Sequence, residues 1–428
     1  MQKTPIIDLN RVLVETILLK LLKKTLKRSP MLHLITPETV KNQRVFVRAD
    51  LNVPTKNGAI LDDFRLKSLL PTLMILIKAN AATILATHWG NPTPESPDPA
   101  LSTQHLVAWF EQHQIPVTFA ATLDQAAQLQ APGHIILLEN LRFFAGEKKQ
   151  DATFAHQLAA LADYYVTDAF GVLHRSDTSV SLLPLQFALD HRLIGLLIAR
   201  EIGQLDKLTS HPTQPFMLVL GGAKLDDKVP LITTFLEKPA AQRITSCMVG
   251  GLTALAFIKA SGHNTGSVHL EAATVTHAAT IMERALHKAV RIDIPSDVMI
   301  IEGELGATPT ICASDAIPAT ATVVDIGPAT IRQYLYNLTS AKTVFANGTM
   351  GIFEYPAYQQ GTRAILQAIG AIKGYSVLGG GDTAAAADSC GLAASFGFVS
   401  SGGGATLAYL GSSHPFEQLP GLKALIFS

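Results

Sequence analysis

The 428-residue chain has little charge, few aromatic residues and almost no cysteine. Charged residues make up 16% and aromatic residues 7%, and 34 basic residues balance 34 acidic ones to a formal net charge of +0. This balance argues against a dedicated nucleic-acid-binding protein, which usually carries a basic excess. Cys247, Cys312 and Cys390 are far apart and match no metal-binding spacing. We therefore expect a cytoplasmic protein without a disulfide framework.

No uncharged run is a convincing membrane span. The longest run, between Asp388 and His414, contains glycines and serines that suit a turn better than a bilayer. Residues 1–30 have apolar residues at helical spacing and end in the basic stretch KLLKKTLKR. This pattern is compatible with an amphipathic helix on a membrane surface, with a targeting peptide, or with an over-extended start before Met31. We expect an extension outside the fold and no stable membrane insertion.

Short apolar segments alternate with stretches of helical periodicity from Val45 onward. The segments fall into two series: first VFVRADLNV, ATILATHWG, HIILLENLRFF and YYVTDAF, then FMLVLGGAK, ITSCMVGGLTALAF, TVFANGTMG, SVLGGGDTAAAA and FGFVSSGGGATLAYL. Strands that alternate with helices predict parallel sheets covered on both faces. We therefore predict an α/β protein with two doubly wound, Rossmann-like domains, joined by a helix and divided near 190–215.

The first series carries basic and polar side chains at the carboxyl ends of its predicted strands. These residues are Asp50, Asn52, Arg65, His88, Arg142, His174 and Arg175. Ligands of open α/β sheets lie at that edge, and arginine forks bind carboxylates and phosphates at two points. Any one of these residues could be a surface charge or part of a structural ion pair. Together they predict a site for a small polyanion.

The second series carries glycine-rich turns where a strand meets a helix. Glycine lets backbone N–H groups approach a phosphate closely, and the helix start adds partial positive charge. Four such turns predict an extended ligand with several phosphates, a nucleotide polyphosphate. Lys224 and Lys228 are expected to begin one helix and to lie on one face of it. Asp382, among the predicted phosphates, is best explained as a ligand of Mg²⁺.

Two other classes of protein share parts of this pattern. Gly379, Gly381 and Ala384 match the dinucleotide pattern G-x-G-x-x-A, but Ser400 and Ser401 occupy the place of the acidic residue that would bind the ribose. That disfavours a dehydrogenase, and the P-loop motif is absent from the sequence. A non-catalytic binder of a sugar phosphate or nucleotide stays open, because binding sites alone do not prove turnover.

The chain resembles phosphoglycerate kinase over nearly all of 31–428. The resemblance rests on segments in the family's order and spacing, which are RVFVRADLNVP, DDFRL, ATHWGNP, LLENLRFFAGE, YVTDAFGVLHR, LGGAKLDDKVPLI, VVDIGPAT, ANGTMGIFEYPAYQQGT, VLGGGDTAAAA and SSGGGATLAYL. It implies reversible, Mg²⁺-dependent phosphoryl transfer from 1,3-bisphosphoglycerate to ADP, giving 3-phosphoglycerate and ATP, in glycolysis and gluconeogenesis. A weakened or specialised homologue that only binds these ligands is the alternative.

The resemblance also implies how the chain is divided. It implies an N-terminal phosphoglycerate-binding domain (31–195), a hinge helix and linker (196–215), a C-terminal nucleotide-binding domain (216–405), and a segment (406–428) that returns to the first domain. The protein is expected to be a monomer whose domains close over the two substrates.

The resemblance assigns a role to each candidate site residue. The residues implied to bind phosphoglycerate are Asp50, Asn52, Arg65, His88, Arg142 and Arg175. Those implied to bind the nucleotide are Lys224, Lys228, Gly250, Asn347, Glu354, Gly380, Gly381, Asp382 and Thr383, with Asp382 also at the metal. Those implied to act in catalysis are Arg65, Lys224, Gly403 and Gly404, the last two with Gly402 at a helix start that faces the transferred phosphoryl group.

Three features depart from the family's pattern. Asn91 stands where the family has an arginine that contacts the substrate, so a charge and a two-point donor are lost. Asp177 stands where the family favours a histidine and adds negative charge near the anion site. Ala346 and Thr349 stand for a tryptophan and a proline, and they are expected to alter the floor of the nucleotide site without changing its charge.

Overall fold

The structure, a computed structural model, describes residues 32–56 and 59–427. The predicted extension (1–30) lies outside the described residues. The chain divides into two compact units, one formed by the described residues up to 203 together with 414–427, the other by 204–413. The domain limits drawn from the sequence stay predictions. Within the described ranges, no helix is long and apolar enough to cross a membrane.

A parallel sheet is the centre of the first unit. The strands of this unit are β1 (His33–Leu34), β2 (Arg44–Ala49), β3 (Thr55–Lys56), β4 (Ala59–Ile60), β5 (Ala82–Ala86), β6 (Val117–Ala120), β7 (Ile135–Leu138), β8 (Tyr164–Asp168) and β9 (Arg192–Ile194). Seven of them form one sheet in the order β1-β9-β8-β2-β5-β7-β6, and every neighbouring pair is parallel. β3 and β4 form a separate antiparallel pair.

Helices accompany these strands. They are Phe64–Lys78, Val107–Gln112, Leu123–Leu129, Ala152–Ala159, Thr178–Ser181, Leu196–Ser210, Pro415–Gln418 and Pro420–Ile426. Strands β5 and β7 are buried along their whole length, as expected of parallel strands covered on both faces. The final helix packs within this unit, where the Gly421 N–H donates to the Leu173 carbonyl at 2.9 Å. Helix Leu196–Ser210 contains the division between the units.

The second unit has two sheets. Its strands are β10 (Phe216–Leu220), β11 (Ser246–Val249), β12 (Arg291–Asp293), β13 (Asp297–Ile301), β14 (Thr310–Ala313), β15 (Thr322–Ile326), β16 (Thr343–Asn347), β17 (Tyr375–Gly379) and β18 (Phe398–Val399). Six form a parallel sheet in the order β12-β11-β10-β16-β17-β18. The other three form an antiparallel sheet, β14-β13-β15, which the sequence patterns did not predict.

Helices of the second unit follow the strands of its parallel sheet. They are Val229–Glu237, Gly251–Ala260, Ala272–His287, Pro328–Leu338, Gln360–Gly370, Gly381–Ser389 and Gly404–Leu410. Apolar side chains from β10, β16 and β17 (Met217, Val344 and Leu378) pack in one buried cluster with Tyr334 and Ile369 of two helices. Burying a side chain of this size is worth about 1.5–3 kcal/mol. This core fixes the strand ends from which the glycine-rich turns leave.

Candidate active site

The candidate anion-binding residues lie at one edge of the seven-stranded sheet. Strands β2, β5 and β7 are neighbours and run parallel, so their carboxyl ends meet at this edge. Asp50 follows the last residue of β2, His88 lies two residues beyond β5, and Arg142 lies four residues beyond β7. All three side chains are buried. The edge therefore brings together groups that are as many as 92 positions apart in the sequence.

Arg65 joins this edge from the first turn of helix Phe64–Lys78. Its Nη1 atom donates to Oδ1 of Asp50 at 2.9 Å and to the carbonyl oxygen of Asn52 at 3.2 Å. The Asn52 side chain in turn accepts a hydrogen bond from the Gly90 N–H at 2.9 Å. The three predicted residues Asp50, Asn52 and Arg65 thus form one connected group.

Arg142 links the loop after β5 to Asp177. Its Nη1 atom donates to the Gly90 carbonyl oxygen and, at 3.3 Å, to Oδ1 of Asn91. Its Nη2 atom lies 3.9 Å from Oδ2 of Asp177. Asp177 is therefore a direct neighbour of a predicted substrate-binding arginine. Its carboxylate competes with any anion that binds there.

His88 is a neutral histidine in a cationic environment. Burial lowers its pKa well below the usual 6.5, and the charges of Arg48, Arg142, Arg175 and Arg65 lower the pKa further. Its Nδ1 atom lies 3.2 Å from Nη2 of Arg48, which can only donate. Nδ1 is therefore the acceptor, and Nε2 carries the proton. The ring presents an N–H donor that suits an anionic ligand.

Several buried polar atoms of this edge have no hydrogen-bond partner among the described residues. They are Nε2 of His88, Nε of Arg142, Nδ1 of His174 and Oδ2 of Asp177. Buried polar groups in native proteins are nearly always hydrogen-bonded, so a cluster of exceptions is a mark of a ligand site. Arg175 is half-buried near them, and its charge contributes to lowering the pKa values of His88 and His174.

Two charged residues beneath the site were not singled out by the sequence patterns. Arg48 and Glu147 are fully buried, with Nη2 of Arg48 4.0 Å from Oε1 of Glu147. Ser179 joins them, because Nε of Arg48 donates to its hydroxyl at 2.8 Å and the hydroxyl donates to Glu147 at 2.6 Å. The sequence does contain one indication of this pair. Arg48 is a charged residue inside the apolar strand RVFVRA, and a buried charge must be paired.

Glycines of the second unit allow three strand ends to pack closely. A side chain on Gly221 would meet the Thr349 carbonyl oxygen at 2.1 Å, and one on Gly348 would meet the Gly221 carbonyl carbon at 2.4 Å. Gly348 and Gly251 have φ angles of 85° and 56°, which favour glycine. The turns after β10, β11 and β16 therefore meet backbone to backbone. Their glycines serve this packing whether or not a phosphate also lies against them.

A cleft of ≈ 600 Å³ opens at these turns. Its wall includes Gly222, Gly251, Phe353, Glu354 and Asp382. A volume of this size suits a small-molecule ligand or cofactor. The predicted residues Glu354 and Asp382 line this cleft, and both side chains are exposed to it or to solvent.

The two predicted lysines do not share a helix as expected. Helix Val229–Glu237 is preceded by a 3₁₀ turn, Asp226–Lys228, so Lys224 lies before both elements. Nζ of Lys228 donates to the main-chain oxygen of Lys224 at 2.6 Å. Burial lowers the pKa of Lys228, and its ammonium group lies beside Gly222 of the cleft wall. Lys224 is exposed.

Asn347 and Thr383 connect neighbouring turns. The Asn347 amide donates to the Gly379 carbonyl at 2.7 Å, and the Gly348 N–H donates to the Thr383 hydroxyl at 2.6 Å. Gly380 has a φ of 97°, and a side chain there would meet the Asn347 amide nitrogen at 2.7 Å. These contacts hold the start of helix Gly381–Ser389, which carries Asp382. Both side chains therefore have a structural role, beside any contact with a nucleotide.

The other predicted glycines lie at helix starts. Gly250 precedes helix Gly251–Ala260, where a side chain would meet the Met350 sulfur at 2.5 Å. Gly403 precedes helix Gly404–Leu410 with a φ of 51°, and a side chain there would meet open space. Glycine at 403 is thus required by its backbone conformation. Gly402 donates its N–H to the Ser400 hydroxyl at 3.2 Å.

Of the two residues expected at the floor of the nucleotide site, only Thr349 lines this cleft. Its hydroxyl donates to the Gly351 carbonyl at 2.8 Å. Ala346 is not part of the cleft wall and instead packs in the buried core around β16.

The donor set at the cleft fits a nucleotide-bound divalent metal. Asp382 presents a carboxylate at the cleft wall and has no protein hydrogen-bond partner among the described residues. In 32–56 and 59–427, no group of three or more His, Cys, Asp or Glu side chains could hold a metal by itself. A metal bound by one carboxylate together with substrate phosphates is the usual arrangement for Mg²⁺ in kinases.

Comparison with known proteins gives a consistent result. The phosphoglycerate kinase family model matches residues 35–413. A phosphoglycerate kinase from Streptomyces avermitilis is 42% identical over 406 residues, which cover 91% of this chain and 97% of that protein. One from Moorella thermoacetica is 36% identical over 395 residues, covering 90% and 97%.

Solved structures agree in fold. The structure of phosphoglycerate kinase from Coxiella burnetii matches with a TM-score of 0.77 at 32% identity, over 90% of this chain and 96% of that one. The enzyme from Pyrococcus horikoshii OT3 matches with a TM-score of 0.76 at 29% identity, over the same shares of 90% and 96%.

A cationic edge on one parallel sheet and a glycine-walled cleft in the other unit define a two-unit α/β phosphotransferase. The chain belongs to the phosphoglycerate kinase family. The predicted fold class, family and enzyme class, a phosphotransferase with a carboxyl acceptor in glycolysis, are confirmed. The alternative of a homologue that only binds its ligands is not favoured. Family membership also implies phosphoglycerate and ATP or ADP as substrates, with a metal associated with the nucleotide.

Proposed function

We propose that this chain catalyses reversible, Mg²⁺-dependent phosphoryl transfer between 1,3-bisphosphoglycerate and ADP. The observation that carries the proposal is the cluster of buried donors at the sheet edge, with Nε2 of His88 and Nε of Arg142 unpartnered beside the Arg65–Asp50 pair. Donors in this state are already desolvated, so they bind an anion without first losing bound water. A phosphorylated glycerate supplies the missing acceptors.

The proposed roles in the first unit follow from what each group can donate. Arg142 and Arg175 bind the anionic groups of the glycerate, and His88 adds a neutral N–H donor. Asn52 holds the loop after β5 through Gly90. Arg65 is fixed by Asp50 and neutralises charge on the transferred phosphoryl group. These assignments rest on the geometry of the edge and on the family.

The proposed roles in the second unit concern the nucleotide. Lys224 and Lys228 neutralise phosphate oxygens, and Glu354 contacts the ribose. Asp382 would hold Mg²⁺, whose charge would offset that of the phosphates. Asn347, Gly250, Gly380, Gly381 and Thr383 shape the turns that receive the nucleotide. Gly403 and Gly404 present backbone N–H groups to the transferred phosphoryl group.

Phosphoryl transfer needs little covalent help from the protein. It needs alignment of the reacting atoms within about 3–3.5 Å and stabilisation of the developing charge. A single preorganised donor is worth about 3–4 kcal/mol of barrier. We propose that both substrates must be bound before the reacting atoms align. The predicted hinge at 196–215 is proposed to allow this alignment.

A coupled assay tests the proposal. The full chain is given 1,3-bisphosphoglycerate, ADP and Mg²⁺, and ATP formation is followed continuously. We expect turnover that disappears when Mg²⁺ is chelated and returns when it is added back. No ATP formation at any Mg²⁺ concentration would refute the proposal. We further propose a monomer in the cytoplasm, which light scattering after size exclusion and localisation of the tagged chain would check.

A further inference from the structure

We propose that Lys148 is a substrate-binding residue of this enzyme, held at the anion site by Asn91. The inference rests on the proposed function and adds a residue that no sequence motif singled out. Lys148 lies in the loop after the 3₁₀ turn Leu141–Phe143, and its side chain is exposed. By its exposure alone, Lys148 is an ordinary surface lysine.

The contact joins Lys148 to the candidate site. Nζ of Lys148 donates to Oδ1 of Asn91 at 2.5 Å, and Nη1 of Arg142 donates to the same oxygen at 3.3 Å. Two donors on one acceptor atom are close neighbours, so the ammonium group lies beside the Arg142 guanidinium. Two like charges repel each other unless an anion lies between or next to them. The pair is arranged as expected for an anion subsite.

The remaining charges at the edge show why an additional cation matters. Three of the four arginines have a carboxylate within 4.0 Å: Arg65 with Asp50, Arg142 with Asp177 and Arg48 with Glu147. A phosphoglycerate carries roughly two negative charges on its phosphate and about one on its carboxylate at neutral pH. Arg175 alone, without a carboxylate partner in the described chain, does not balance these charges.

Lys148 has no such internal partner. Among the described residues its only polar contact is the neutral amide oxygen of Asn91, and no carboxylate lies within ion-pair distance. Its full positive charge is therefore available to a ligand. A neutral asparagine at 91 orients the ammonium group without cancelling the charge, whereas an arginine at 91 would repel it. Asn91 and Lys148 thus supply together what the resemblance assigns to one arginine.

The position of Lys148 is fixed by its neighbour in the sequence. Glu147 is fully buried, its side chain accepts from the Ser179 N–H at 3.0 Å, and its main-chain oxygen accepts from the Thr178 N–H at 2.7 Å. The backbone next to Lys148 is therefore anchored to helix Thr178–Ser181. Anchoring reduces the conformational entropy that the lysine loses when a ligand binds.

Lys148→Ala in the full chain tests the inference, with Lys149→Ala as the matched control. Lys149 is the next residue, is also exposed, and its side chain makes no hydrogen bond or ion pair among the described residues. Hydrogen bonds to charged groups contribute more binding free energy than those between neutral groups. We therefore expect Lys148→Ala to raise the KM for 3-phosphoglycerate roughly tenfold. The KM for ATP and kcat should change less than about twofold, and Lys149→Ala should leave all three near the wild type.

A double-mutant cycle tests whether Asn91 acts through Lys148. Asn91→Ala should raise the KM for 3-phosphoglycerate, and adding Lys148→Ala should raise it by much less than in the wild-type background. Lys148→Arg should restore most of the affinity. Strictly additive effects would refute the role of Asn91.

Direct binding separates this inference from the proposed function. Calorimetric titration with 3-phosphoglycerate measures the affinity of each variant even where turnover is slow. If Lys148→Ala binds as tightly as Lys149→Ala, the inference is overturned while the kinase assignment stands. If the wild type neither binds 3-phosphoglycerate nor forms ATP, the proposed function itself fails.

Discussion

Arg65 contacts Asp50 through a single nitrogen, Nη1, at 2.9 Å, and the same nitrogen reaches the Asn52 carbonyl at 3.2 Å. Among the described residues, the remaining N–H groups of this guanidinium make no hydrogen bond. The carboxylate therefore fixes the side chain from one side and leaves the rest of the fork for a ligand. This division suits a charge that must be held in place and still act on an anion.

Arg65→Ala should slow turnover strongly. Loss of one preorganised donor to a developing charge costs about 3–4 kcal/mol, which corresponds to a fall in kcat of roughly 10²–10³-fold. Steady-state ATP formation at saturating substrates measures the effect. Arg44→Ala is the matched control, because Arg44 pairs with Asp163 at 2.6 Å in an exposed ion pair at the other end of β2. A decrease in kcat no larger for Arg65→Ala than for Arg44→Ala would contradict the catalytic role.

Asp382→Asn should weaken the metal dependence of the reaction. An amide keeps an oxygen ligand but loses the charge that holds a divalent cation, so we expect half-maximal activity to need roughly ten times more Mg²⁺. A Mg²⁺ titration at fixed ADP measures this shift. Asp388→Asn, in the same helix and also exposed, should not shift the titration. Identical titration curves for both variants would remove Asp382 from the metal site.

Asp177→Asn should strengthen substrate binding. The Asp177 carboxylate lies 3.9 Å from Nη2 of Arg142 and opposes the approach of another anion. Removal of the charge should lower the KM for 3-phosphoglycerate several-fold, since close like charges cost about 1 kcal/mol or more. Asp190→Asn, an exposed residue of the same unit, is the control. An unchanged or higher KM in Asp177→Asn would show that the carboxylate instead orients Arg142 productively.

Asp168 should make stability depend on pH. Burial raises the pKa of this carboxyl from 3.8 to about 7 in the folded chain, and its Oδ2 atom has no described hydrogen-bond partner. A raised folded pKa means that the folded state holds the proton more tightly. The associated stability is present below about pH 4 and is lost as the pH rises toward about 7.

Asp168→Asn tests this dependence. The amide keeps an acceptor for the Leu197 and Ile198 N–H groups, which now donate to Oδ1 at 2.9 and 3.2 Å, and it has no charge to bury. Relative to the wild type, the variant should gain in melting temperature more at pH 8 than at pH 5. Asp190→Asn should show equal differences at both pH values. If the Asp168→Asn difference were the same at pH 5 and pH 8, the titration would not be linked to folding.

The parallel strands were the most predictable part of the fold. Runs such as ATILA and IILL are apolar throughout, because parallel strands are covered on both faces, and each ends in polar or glycine-rich residues that mark the ligand edge. The antiparallel strands β13 and β14 were missed. β14 has the sequence TICA and is mostly exposed, so it has no apolar run to recognise.

The candidate site was predictable where a residue type alone suggests its chemistry. Arg65, Arg142 and Asp382 stand at strand or helix ends, where a charge suggests a ligand. Lys148 was missed because its role depends on the side chain of Asn91, and sequence patterns do not give a contact across 57 positions. The prediction that Lys224 and Lys228 begin one helix was wrong, because a glycine-rich sequence does not show that a 3₁₀ turn precedes the helix.

The buried pair of Arg48 and Glu147 has a consequence for how the enzyme tolerates change. Arg48 contacts the ring of His88, and Glu147 anchors the backbone next to Lys148, so each of the two buried charges positions a different residue of the candidate anion site. Breaking a buried ion pair by removing one partner costs about 3–5 kcal/mol. Sequence change is therefore restricted at these two buried positions, because Arg48 and Glu147 are replaceable only together.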